Sequence, residues 1–164
     1  MTLDGRAKGD IGFDKTWSEY KNGFGVPPGD FWLGNDAIHA LTTKNAYELR
    51  IDLRNRRKYL FAQYSLFKVE DEKNSYRLHV GSSSGTLHES KYGHISGMLY
   101  NDRRKFSTKD RDNDPFSGSC STLLHGGWWY GTRKDKATPY HQHYNVVMKA
   151  FLVVPNASPY HRKR

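Results

Sequence analysis

A chain of 164 residues that is 36% hydrophobic and 14% aromatic can bury one core of its own, and with a mean hydropathy of −0.86 that core must rest on Trp, Tyr and Phe. No apolar run approaches membrane-spanning length, so membrane insertion is not expected. Twenty-six Lys and Arg against 17 Asp and Glu give a net charge of +9, clustered at Arg54–Lys58, Arg103–Lys105, Arg133–Lys136 and Arg162–Arg164; such runs attract polyanions or simply form solvated faces.

Asp14 to Gly23 reads as a short helix, with Asp14 or Thr16 as cap, Trp17 and Tyr20 on one face and Gly23 as its stop. A Pro-Gly loop leads to a second helix from Asn35 to Thr42, with Asn35 as cap and Ile38 and Leu41 buried together. Strands are expected at Tyr47–Leu53 and Tyr76–Val80, which alternate at period two, and at aromatic Leu60–Phe67; together they suggest an antiparallel meander. From Gly81 to Pro115 the pattern becomes polar and irregular, where functional loops belong. Tyr144–Val154 reads as a closing buried strand. With no internal repeat and no boundary, residues 1–164 form one domain.

Asp110-Arg-Asp-Asn-Asp-Pro-Phe-Ser-Gly118 sets three carboxylates at alternate loop positions, the oxygen-rich pattern of a calcium site. It is not an EF-hand, because Pro115 stands where that loop needs its glycine and Ser121 where it needs its glutamate. A solvated acidic turn, partly neutralised by Lys109 and Arg111, is the alternative. His125, His141 and His143 lack the ligand pattern of a transition-metal site and are read as surface residues. No nucleophile elbow, phosphate loop or zinc-protease motif is present, so the chain is not expected to be an enzyme. Trp128 and Trp129 would anchor opposite faces of one strand, with sugar stacking as the lesser reading. Asn156-Ala-Ser158 is a glycosylation pattern weakened by Pro159. The single cysteine, Cys120, allows no internal disulfide, which by itself argues for a reducing compartment, and Met1–Asp10 carries no secretory signal.

Trp17-Ser-Glu-Tyr-Lys-Asn-Gly-Phe-Gly25, Phe31-Trp-Leu-Gly-Asn35, Ile38-His-Ala-Leu-Thr42, Tyr47-Glu-Leu-Arg-Ile-Asp-Leu53, Phe106-Ser-Thr-Lys-Asp-Arg-Asp-Asn-Asp114 and Gly126-Gly-Trp-Trp-Tyr130 follow one another in the order of a fibrinogen C-terminal (fibrinogen-related) domain. Taken together they resemble that family over about residues 11–130, and again over 144–155. The resemblance implies an α+β fold, a twisted antiparallel sheet with short helices and long calcium and ligand loops. It also implies a secreted, extracellular recognition module of the lectin-like, innate-immune kind, without catalysis, that binds a glycan, a glycoprotein, or a receptor or matrix protein. By the family's pattern calcium would be held by the side chains of Asp112 and Asp114 and the carbonyls of Phe116 and Gly118.

The same resemblance places the ligand pocket at Leu124, His125, Lys134, Tyr140 and His141. Here the chain departs from the family. Arg133 stands where the family keeps the partner of Cys120, which therefore stays a thiol. The N-terminal disulfide-bearing strand is missing, and the pocket region between Lys136 and Tyr144 is shortened. Any oligomer would assemble through a region N-terminal to this chain. The competing readings are an adaptor module without sugar recognition and a basic binder of heparin-like acidic polysaccharide; no motif supports specific nucleic-acid binding.

Overall fold

The first helix forms where its caps demand it. Thr16 Oγ1 accepts from Glu19 N–H while the Glu19 carboxylate accepts from Thr16 N–H at 2.8 Å, a reciprocal box that starts α1 (Trp17–Asn22). Gly23, at φ 90°, ends it, and a Cβ there would meet the Leu33 carbonyl at 2.7 Å. In this computed structural model residues 2–6, 11–54, 59–86, 97–131 and 147–153 are described, and they form an α+β fold.

Seven strands make the main sheet: β1 (Thr2–Arg6), β2 (Phe24–Gly25), β3 (Phe31–Trp32), β4 (Glu48–Arg54), β5 (Tyr59–Tyr64), β8 (Ser83–Ser84) and β9 (Val147–Val153). Their order across the sheet is β2-β3-β1-β9-β4-β5-β8, and all named pairs are antiparallel. The closing strand expected at Tyr144–Val154 is thus β9, seated centrally between β1 and β4. β6 (Phe67–Val69) and β7 (Leu78–Val80) form a separate two-stranded sheet, against which α2 (Asn35–Lys44) packs.

Four expectations are corrected. β1 lies before the first expected element; Thr-Leu-Asp-Gly-Arg has one apolar residue and is a strand because β3 and β9 pair with it. Asn35 is the first residue of α2 rather than its cap, since its Oδ1 accepts from Trp32 Nε1 at 3.0 Å. The segment from Leu60 to Phe67 breaks at Ser65-Leu66, because Phe67 N–H turns away to donate to the Tyr47 carbonyl at 2.7 Å and opens the second sheet. Tyr76 is left-handed at φ 48°, so β7 starts later and pairs with β6, and no three-stranded meander forms.

The core is an aromatic frame. Trp129 is 1% exposed; its ring centroid lies 5.0 Å from that of Phe106 and its Nε1 donates to the Tyr76 carbonyl at 2.6 Å. Tyr20 OH donates to the Phe13 carbonyl at 2.8 Å and accepts from Gly127 N–H at 3.0 Å, joining α1 to the Gly126–Tyr130 segment. Trp128 and Trp129 do not serve opposite faces of a strand. Their rings are 5.4 Å apart and both are buried, because Trp128 makes only an isolated bridge to Ser107.

Candidate calcium and ligand loops

The loop that carries the acidic run is clamped at its base. Ser107 and Trp128 exchange both backbone hydrogen bonds, at 2.9 and 3.1 Å, and Thr108 and Arg111 do the same at 2.9 and 3.1 Å. The Asn113 side chain turns inward and donates to the Phe106 carbonyl at 2.8 Å, while its own N–H donates to Ser107 Oγ at 2.9 Å. These bonds make Asp112 and Asp114 neighbours on the outer side of a turn whose core side Asn113 fills.

Asp110, the first of the three alternate carboxylates, has a different task. Its Oδ1 accepts from Trp17 N–H at 2.9 Å and from Thr108 Oγ1 at 2.8 Å, so it satisfies one of the orphan donors of α1. Burial alone would raise its carboxyl pKa, but these hydrogen bonds hold it below the usual aspartate value. Nearby, Lys109 Nζ donates to the Asp14 carbonyl at 2.8 Å, and the Arg111 guanidinium lies 4.0 Å over the Trp17 ring. The sequence does not disclose this role, since Asp110 and Trp17 are 93 positions apart. The only available signal was a helix start that needs a second acceptor.

The four residues assigned to calcium are contiguous in space. Asp114 N–H donates to Asp112 Oδ1 at 3.1 Å, Phe116 N–H to Asp114 Oδ1 at 2.8 Å, and the Phe116 ring comes within 3.2 Å of a Cβ built on Gly118. Asp114 Oδ2 also accepts from Cys120 N–H at 2.9 Å, tying the loop to α3 (Cys120–Leu124), which Ser119 caps. Burial, and after it the nearby Asp114 carboxylate, pushes the Asp112 carboxyl up, although the Asp114 N–H bond pulls the other way.

A donor set of this kind suits a hard cation. Each carboxylate oxygen that takes one N–H keeps a further lone pair. Among the described residues no backbone N–H donates to the carbonyls of Phe116 or Gly118. No group of three or more His, Cys, Asp or Glu side chains with metal-holding geometry occurs among the described residues, so an ion here would rely on two carboxylates, carbonyls and water. Calcium accepts such a shell, whereas metals that prefer nitrogen or sulfur would not.

The proposed ligand residues are only partly in view. Leu124 is half-buried and packs against the core, and His125 closes α3 in the left-handed conformation at φ 53°. The His125 side chain is 79% exposed, with Nδ1 at 3.9 Å from Asp14 Oδ2. Leu124 is the last residue of the helix that Asp114 anchors and His125 is its C-cap, so the acidic loop and these two residues share one support. Lys134, Tyr140 and His141 lie outside the described residues, as do His143 and Asn156.

Residues 1–149 match the family model described as fibrinogen beta and gamma chains, C-terminal globular domain. Bovine fibrinogen-like protein 1 is 45% identical over 133 residues, covering 76% of this chain and 43% of that protein. Human tenascin-R is 41% identical over 138 residues, which is 79% of this chain and 10% of tenascin-R. The chain therefore spans less than half the length of the first of these relatives and a tenth of the second. The fibrinogen-like globe domain of human ANGPTL2 superposes with a TM-score of 0.76 at 26% identity, over 92% of this chain and 78% of that domain. A lamprey fibrin D-dimer solved with the peptide ligand Gly-His-Arg-Pro-amide superposes at 0.73 with 25% identity, over 99% of this chain and 64% of the other. A family-model match over residues 1–149, with relatives 45% and 41% identical over three quarters of the chain, makes this protein a member of the fibrinogen C-terminal domain family.

Proposed function

We propose that the chain is a calcium-binding, extracellular recognition module that engages a glycan or protein partner without catalysing a reaction. The observation that carries the reading is the Asp112–Gly118 turn, in which Asp114 N–H donates to Asp112 Oδ1 and Phe116 N–H to Asp114 Oδ1, so that two carboxylates are held side by side at the start of the run that also carries the Phe116 and Gly118 carbonyls. In the absence of an ion the carboxylates repel one another; calcium would relieve that repulsion and brace the start of α3 through Asp114, next to Leu124 and His125. Thermal melting in calcium and in chelator tests it. At free calcium a hundred-fold above the dissociation constant the native state gains about 2.7 kcal/mol. Asp112→Ala should abolish that gain, and magnesium should substitute poorly because the carbonyl-rich loop suits the larger ion. Identical melts in calcium and chelator would sink the site.

A protein or peptide ligand is favoured over an acetylated sugar. The lamprey relative is solved with a peptide. In this chain Leu124 is engaged with the core, and the sequence between Tyr140 and Tyr144 holds only His141, Gln142 and His143, none of them a large apolar residue. Calorimetry with N-acetylglucosamine and with Gly-His-Arg-Pro-amide separates the two: no measurable heat is expected from the sugar, and micromolar sugar binding would restore the lectin reading.

A further inference from the structure

The acidic run of the calcium loop brings its own counter-charges, Lys109 and Arg111, and the fold draws both away from it. Lys109 Nζ donates to the Asp14 carbonyl at 2.8 Å and lies 3.5 Å from Asp14 Oδ2. The Arg111 guanidinium sits 4.0 Å over the Trp17 ring, with Nη1 at 3.7 Å from Glu72 Oε1. Among the described residues no Lys, Arg or His makes an ion pair with Asp112 or Asp114. In a solvated acidic turn these same two cations would lie on the carboxylates.

What holds Arg111 is itself held. Glu72 opens the short 3-10 turn Glu72–Asn74; its Oε1 also accepts from Trp17 Nε1 at 2.8 Å, and its Oε2 accepts from Lys21 Nζ. The Lys21 ammonium, and after it the Trp17 indole, keep the Glu72 carboxyl below the usual glutamate range, so it carries its charge at neutral pH. Trp17 is fixed in turn, because its N–H donates to Asp110 Oδ1 at 2.9 Å and its ring stacks on the buried Tyr76 with centroids 5.4 Å apart. The platform under Arg111 is thus part of the core.

We infer that Glu72 and Trp17 are positioning residues for calcium: they hold Arg111 off Asp112 and Asp114, and so keep both carboxylates open to the ion. The inference rests on the calcium reading of the loop. Arg111 directly precedes Asp112 and stands three positions before Asp114, so a released guanidinium has both carboxylates within reach, and its forked donors match them. There its charge would oppose a divalent cation in the same place. Over the indole and beside Glu72 the same charge is both removed from the site and offset.

Calorimetric titration of the chelator-treated full chain with calcium tests it in a double-mutant cycle. Glu72→Gln keeps an oxygen for Trp17 Nε1 but loses the charge, and should bind calcium about tenfold more weakly. Arg111→Gln should stay within about twofold of the parent, since the charge it removes is already offset, and the double variant should return to the same range. Arg111→Lys keeps the charge without the planar fork that stacks on an indole, and should weaken calcium about threefold with Glu72 untouched. Melting in chelator reports whether each variant is folded, and Arg111→Lys carries the test alone if Glu72→Gln is not. Equal and opposite effects of Glu72→Gln and Arg111→Gln would mean two independent charges acting through the field. That result, a double variant as weak as Glu72→Gln, or parental affinity in both Glu72→Gln and Arg111→Lys would each overturn the positioning role while calcium binding stands. No calcium heat from the parent chain would remove the proposed function and this role together.

Discussion

Asp110 and Asp112 stand two residues apart in one acidic run, yet the halves of the loop they represent are built for opposite ends. Around Asp110 every donor meets an acceptor: Trp17 N–H, Thr108 Oγ1 and Lys109 Nζ all close onto α1 or its approach, above the aromatic frame of Phe106 and Trp129. Around Asp112 acceptors outnumber donors, and its carboxyl pKa is raised where that of Asp110 is lowered. Alternation of carboxylates in a sequence therefore does not reveal which of them belong to a ligand site. What separates them is whether a backbone N–H from elsewhere in the fold reaches them first.

The contrast can be broken most severely from below. Trp129→Ala removes the ring that packs on Phe106, whose carbonyl holds Asn113 of the loop, and should cost about 3 to 5 kcal/mol in chemical denaturation, as large-to-small core changes do. A loss under about 1 kcal/mol would mean that the frame does not support the loop. Next in size is the comparison of single carboxylates in chelator. Asp114→Ala strands the N–H groups of Phe116 and Cys120 and should cost about 2 kcal/mol, and Asp110→Ala, which strands that of Trp17, about 1 kcal/mol. Asp112→Ala should cost least and still abolish the calcium response, so an Asp112→Ala loss as large as that of Asp114→Ala would erase the distinction.

The subtlest expectation is in the acid limb of the stability curve. The folded pKa of Asp110 is lowered, so its contribution is present above the ordinary aspartate value of about 3.9 and disappears as pH falls through the lowered folded value. The folded pKa of Asp112 is raised, so its contribution is present below that ordinary value and is lost as pH rises through the raised one. In chelator, Asp110→Asn should therefore flatten the fall in stability on acidification, and Asp112→Asn should remove an opposing decline at slightly higher pH. Melting temperatures across the acidic range would read both, and like slopes for the two variants would contradict their assigned environments.

Much of the fold is legible in the sequence because its signals are local. The cap, which the sequence leaves between Asp14 and Thr16 and the structure puts at Thr16, the stop at Gly23 and the alternation of β4 act within a few residues, and the order of motifs identifies the family. Pairings decided at long range are not legible. β1 has almost no strand pattern and owes its form to β9, while Phe67 leaves its expected strand because the Tyr47 carbonyl waits for its N–H. In the loop, the residue types and spacing point to Asp112, Asp114, Phe116 and Gly118 together, but the removal of Asp110 from that set depends on Trp17. The two adjacent tryptophans are core anchors as their size suggests, but that they do not sit on opposite faces of a strand is decided at long range, where Trp128 makes only an isolated bridge to Ser107.

The central position of β9 has a consequence for biosynthesis. Thr2 finds its partner at Phe151, and Glu48 finds its partner at Val153, so the middle of the main sheet stays open until nearly all of these residues have left the ribosome. During that interval β4 and β5 can form a hairpin and α1 can settle beside α2, but β1 has only the two-residue match with β3 to hold it. Closure then brings together segments far apart in sequence, which makes it slow by loop entropy and leaves the flank of β4 exposed to other nascent chains. A chaperone that shields that flank would act on the yield of this protein long before any ligand does.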